Sequence, residues 1–113
     1  MILSTAAAEL ENLSISSSLK TAKYLEKNGD INGSISIYMN ILEKNPNHRT
    51  TIQKLKTIFL NHQLYNDGIK FLNKRISNNP NNQKVYAELG EFYFLNEQIS
   101  EAHKTWNNAQ KKF

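Results

Sequence analysis

Residues 45–82 read NPNHRTTIQKLKTIFLNHQLYNDGIKFLNKRISNNPNN, with an Asn-Pro-Asn at either end. Pro46 and Pro80 are the only prolines in the chain, and 80 − 46 = 34. Proline is barred from helix interiors, and it pushes the residue before it out of the helical region. Each Asn-Pro therefore marks a place where a helical segment has to stop. Between the two prolines, apolar residues return at helical spacing: Ile52, Leu55 and Phe59, then Tyr65, Ile69, Leu72 and Ile76. A short turn-forming segment divides the two stretches, so the interval reads as a helical hairpin.

The same plan extends outward in both directions. Upstream, Leu19, Ala22, Tyr24 and Leu25 have helical spacing, and Asn28-Gly29-Asp30 then supplies a left-handed stop and a cap for the next helix. Ile31, Ser34, Ile35, Tyr38, Ile41 and Leu42 carry the pattern on to Asn45. Downstream, Tyr86, Leu89 and Tyr93 are followed by Ile99, Ala102, Trp106 and Ala109. The period predicts helices near 16–28, 31–45, 49–62, 65–78, 83–96 and 99–112, in units 15–48, 49–82 and 83–113 behind a segment 1–14.

In the third unit Tyr86-x₂-Leu89-Gly90-x₂-Tyr93 and Ala102-x₃-Trp106 resemble the tetratricopeptide pattern W-x₂-L-G-x₂-Y…A-x₃-F, with Tyr in place of the first Trp. The matching places are Ala22, Leu25, Ser34, Tyr38 and Pro46 in the first unit, and Ile52, Leu55, Phe59, Gly68, Leu72 and Pro80 in the second. Lys56 departs from the pattern, standing where Gly or Ala is usual, and its aliphatic stem would have to snorkel outward. The resemblance covers residues 15–113 and implies an all-α, right-handed α-solenoid of three antiparallel helical hairpins. Pentatricopeptide repeats, which bind RNA, have a similar length; the aromatic and glycine spacing of the third unit favours the tetratricopeptide reading.

Composition narrows the function. A chain of 113 residues suits one compact domain, and 14 Lys and Arg against 10 Asp and Glu leave a mild excess of +4. The absence of cysteine excludes disulfides, thiolate zinc sites and Cys nucleophiles. No apolar run approaches the roughly 18 residues that span a bilayer. Residues 1–9, MILSTAAAE, look like the end of an export signal but have no basic region and too short an apolar stretch. The alternative is a short helix from Ser4 with Ala6, Leu10 and Leu13 on one face, and it is the favoured reading. It points to the cytoplasm, and the signal reading to export.

The chemistry-bearing residues are sparse. His48, His62 and His103 have no metal spacing and no His-Glu-x-x-His motif, and they read as solvated or capping side chains. Glu88 and Glu91 fit a solvated face, and Gly29, Gly33, Gly68 and Gly90 are too scattered for a phosphate loop. The expectation is a protein without catalysis or cofactor. Most aromatics, Tyr24 among them, fall on packing positions, whereas Phe92, Phe94 and Phe113 fit the core pattern less well.

By the resemblance, the first helix of each pair would line a concave groove for a peptide or helix. That groove would comprise Lys20, Lys23 and Lys27, then Gln53, Lys54, Thr57 and Asn61, then Lys84, Glu88, Glu91 and Phe94. Four lysines on the first two helices against two glutamates on the third would steer an acidic or carboxylate-ended partner to the amino-terminal half. Plain solvation of the lysines is the competing account. The family's chaperone-tail clamp needs Lys, Asn, Asn, Lys and Arg where this chain has Leu19, Lys23, Lys54, Lys84 and Glu88, so that role is not expected. RNA binding through the basic surface is the alternative function. Ile99, Trp106, Ala109 and Phe113 leave apolar surface on the last hairpin for a further repeat or a second copy.

Overall fold

The structure, a computed structural model, describes the backbone from Ile2 to Phe113 and the side chains from Ser14 onward. The described residues form helices α1 (Ile2–Lys27), α2 (Ile31–Lys44), α3 (Arg49–Asn61), α4 (Tyr65–Asn78), α5 (Gln83–Leu95) and α6 (Ile99–Lys112), with no strand among them. From α2 to α6 the bounds fall within one residue of those expected. α1 differs. It runs unbroken for 26 residues, so the first repeat helix does not begin near residue 16 and the expected helix from Ser4 is not separate from it. No Gly or Pro stands between Ile2 and Asn28, and the Ser16-Ser17-Ser18 run costs only tenths of a kcal/mol per residue in a helix. The face of Ala6, Leu10 and Leu13, and the signal reading of residues 1–9, lie outside the described side chains.

Helix ends repeat with the same period as the prolines. Gly29, Gln63 and Glu97 are spaced by 34 (63 − 29 = 97 − 63) and are, among the described residues, the positions at positive φ: 86°, 55° and 63°. Around each, two backbone bonds close the preceding helix. The N–H groups of Asp30, Leu64 and Gln98 donate to Leu25, Phe59 and Tyr93 O at 2.8, 2.8 and 2.9 Å. Those of Gly29, Gln63 and Glu97 donate to Glu26, Leu60 and Phe94 O at 3.2, 3.3 and 3.0 Å. This is the Schellman closure, which needs a left-handed residue. Gln63 and Glu97 hold that conformation against their Cβ, so Glu97→Gly should raise stability by about 0.5–1 kcal/mol, read as an upward shift in Tm. A lowered Tm would show that the Glu97 side chain does more than occupy the turn. Asp30 behaves as the sequence suggests, accepting the Gly33 N–H at 2.9 Å to cap α2.

Two compact units divide the chain, Met1–Ile58 and Phe59–Phe113, the boundary falling inside α3. In the first, α1 packs on α2 and buries Ile15, Ala22, Tyr38 and Ile41. The Tyr38 hydroxyl donates to Glu26 Oε2 at 3.3 Å, and burial together with that carboxylate pushes the phenol above its usual 10. In the second, α5 packs on both α4 and α6 around Phe71, Leu72, Val85, Leu89, Phe92 and Ala102, and the Phe59 and Phe71 rings tilt together at 5.9 Å. Phe92 is a core side chain, 3% exposed, because Gly68 leaves room on α4 for its ring. Tyr24 is the reverse case. It has core spacing yet is 67% exposed, since no described helix covers that side of α1. Among the described residues no helix is long and apolar enough to cross a membrane.

Candidate functional site

The first helix of each hairpin presents an uncovered face, and its chemistry differs between the two units. On α1, Lys20, Lys23 and Lys27 are all exposed at i, i+3 and i+7, which places them on one stripe. The nearby acid, Glu26, is half-buried and accepts the Tyr38 hydroxyl, so the stripe is basic. Farther along the same unit Gln53 and Thr57 of α3 are exposed, while Lys54 is half-buried, which departs from the fully open groove lysine expected. Lys56, at the repeat position of Gly90, is half-buried as well.

In the second unit Asn61, Lys84, Glu91 and Phe94 are exposed, and Glu88 is half-buried, so the expected pair of solvated acids on α5 reduces to Glu91 alone. Phe94 is 50% exposed and has two apolar companions that the sequence reading passed over: Leu60 at 37% and Leu95 at 39%. Leu60 is the register twin of Phe94, because 94 − 34 = 60, and that arithmetic alone would have flagged it. Phe94 is held from behind. Its ring lies 6.2 Å from that of Trp106, the His103 ring stands nearly perpendicular to the indole at 5.8 Å, and the indole Nε1 donates to Ala87 O at 3.2 Å. A half-exposed aromatic braced in this way offers apolar contact area at little cost in conformational entropy.

The three histidines stand apart from one another, two of them in local contacts. His48 Nδ1 lies 2.8 Å from the Thr51 hydroxyl at the start of α3, and Thr51 is fully buried. His62 is exposed at the end of α3, and His103 packs on Trp106. Among the described residues no three His, Cys, Asp or Glu side chains gather into a group able to hold a metal ion. The first helices offer exposed ammonium groups on α1 and exposed apolar and aromatic side chains on α3 and α5.

At the far end of α5–α6, Tyr86 donates to Pro80 O at 2.8 Å and accepts from Lys112 Nζ at 3.3 Å, and its ring meets Phe113 at 5.6 Å. Phe113 nevertheless stays 46% exposed.

The fold recurs among solved structures, two of which are MamA proteins. MamA from Desulfovibrio magneticus RS-1, residue 41 to its end, aligns over 84% of this chain at a TM-score of 0.57 and 19% identity, and 54% of that chain is covered. The MamA RS-1 ArsTM double mutant gives the same TM-score and identity over 84% of this chain and 53% of its own. The chain thus spans about half the length of these proteins. No family model matches it, and no curated protein does. At 19% identity the likeness is one of fold: the six helices form a TPR-like helical repeat.

Proposed function

We propose that the protein is a non-catalytic interaction module that binds a polypeptide on the uncovered faces of the first helices of its hairpins. The observation that carries this reading is the exposure of Phe94 at 50%, together with exposed Leu60 at the same repeat position and exposed Leu95 next to it in the chain, where a lone soluble helix would place polar residues. The lysine stripe of α1 supports an acidic element in the partner, because opposite charges steer encounter and penalise the wrong partner. Each surface is testable by itself.

The probe is a synthetic peptide carrying Asp and Glu together with Leu and Phe, titrated at low salt. Lys20→Glu with Lys23→Glu should weaken it about three- to tenfold, since exposed ion pairs are worth about 0.2–1 kcal/mol each and salt screens them. Phe94→Ser should weaken it by a similar or larger factor with little dependence on salt. Unchanged affinity in both variants would overturn the reading. A polyuridylate oligonucleotide that binds more tightly than the peptide, with a steep salt slope, would replace it with RNA binding.

A further inference from the structure

Asn28-Gly29 and Asn32-Gly33 are the only Asn-Gly pairs in the chain, and both asparagines are exposed. Such a pair is able to modify itself, because glycine has no Cβ to keep its backbone nitrogen away from the side-chain carbon of the asparagine before it. The surroundings of the two pairs differ. Asn28 stands just past the end of α1, with Gly29 after it at φ 86°, and nothing beyond the chain neighbours of Gly29 lies within 4 Å of where a Cβ would stand. The Gly29 N–H donates to Glu26 O at 3.2 Å, and Asn28 Nδ2 donates to Tyr24 O at 2.7 Å in solvent-exposed surroundings.

Asn32 lies inside the first turn of α2, where the helix fixes its backbone. The Gly33 N–H donates to the Asp30 carboxylate at 2.9 Å, and that negative charge opposes loss of the proton. Asn96 supplies a second contrast at the same repeat position as Asn28, since 96 = 28 + 68. Glu97 follows it in the same left-handed conformation but carries a Cβ, and the Asn96 amide donates to Asn66 Oδ1 at 2.9 Å and Gln98 Oε1 at 2.7 Å.

We propose that Asn28 is a site of spontaneous deamidation, which turns the end of the α1 lysine stripe from neutral to acidic. The Gly29 nitrogen, having lost its proton, attacks Asn28 Cγ. The N–Cγ bond forms, the Cγ–Nδ2 bond breaks, and ammonia leaves after taking up a proton in place of the one lost. Water then opens the resulting succinimide at one of its two carbonyls, giving aspartate or isoaspartate at position 28. Either product lowers the net charge of +4 by one and puts a carboxylate next to Lys27, at a helix C-terminus whose dipole repels it. The isoaspartyl form also lengthens the main chain by one carbon within the turn that the Gly29 and Asp30 N–H groups close. The effect on binding rests on the reading of the lysine stripe as a face for an acidic partner: as position 28 converts, that face attracts the partner less.

The test keeps the folded protein in warm, mildly alkaline buffer and digests it with trypsin at intervals. The fragment 28–44 contains both Asn-Gly pairs, and tandem mass spectrometry assigns the exchange of NH₂ for OH to one position or the other. In the folded protein position 28 should convert at least about tenfold faster than position 32, which reacts only after the first turn of α2 opens, and position 96 should keep its amide. In denaturant positions 28 and 32 should convert at similar rates. Equal rates at 28 and 32 in the folded protein, or an Asn28 that keeps its amide there, overturn the proposal. Asn28→Asp reproduces one product uniformly and should weaken the acidic peptide about two- to fivefold at low salt, an effect that fades as salt rises, whereas Asn28→Gln should bind as the wild type does. Wild-type affinity in Asn28→Asp, beside weakened binding in Lys20→Glu with Lys23→Glu, overturns the charge effect and leaves the docking face standing. Unchanged binding in both is instead the failure of the docking reading, and the mass assignment still decides the modification.

Discussion

Gly68→Ala should lower the stability of the protein by about 1–2 kcal/mol, although helix propensity by itself favours the alanine by about 0.5–1 kcal/mol. The added Cβ would overlap the Phe92 ring, whose Cζ would lie 3.2 Å away and its nearer atoms closer still. That ring cannot swing out into solvent: it is 3% exposed and the Tyr65 ring packs against it at 6.4 Å. Forcing a methyl into such a place typically costs about 1–3 kcal/mol, which exceeds the propensity gain. Denaturant unfolding gives the sign directly. A double-mutant cycle with Phe92→Leu should show coupling, because the smaller side chain relieves the overlap and makes the alanine less harmful than in the wild type. Stability equal to or above the wild type in the single variant would mean that α4 and α5 can part at no cost.

Which features were legible in the sequence follows from where the relevant information resides. The two Asn-Pro-Asn motifs and the apolar spacing fix helix number and bounds because those signals are local, and five of the six helices fall within one residue of expectation. The left-handed closures at Gln63 and Glu97 were not announced by residue type, since neither is Gly or Asn. Their signal is the period counted from Gly29. Tyr24 and Phe92 occupy the same register, so no helical pattern separates them; a covering helix buries one and leaves the other open. The site shows the same limit. Exposed lysines on α1 were readable from charge and spacing, whereas Leu60 and Leu95 look like core residues until the packing is known. Lys54 and Glu88 are half-buried for reasons of neighbouring side chains that spacing does not encode.

Gly90→Ala should act on stability and binding surface at once. A Cβ there would overlap the Trp106 indole at Nε1, the atom that donates to Ala87 O at 3.2 Å. Unlike Phe92, Trp106 is only half-buried, so the indole can escape by swinging outward. The cost is then the lost hydrogen bond, about 0.5–1.5 kcal/mol, together with the packing of the ring on α5, for a total of about 1–3 kcal/mol. Trp106 is the sole tryptophan, so its emission reports the movement without interference: the variant should be red-shifted and more readily quenched while helical content is retained. The consequence reaches Phe94, whose ring leans on the indole at 6.2 Å and would lose its support. Binding of an apolar peptide should therefore weaken in Gly90→Ala even though Phe94 itself is unchanged, and Trp106→Phe, which keeps an aromatic ring in place, should restore part of it. An emission spectrum identical to the wild type, with a stability loss of the same size, would place the strain in the α5 backbone and separate the indole from the binding face.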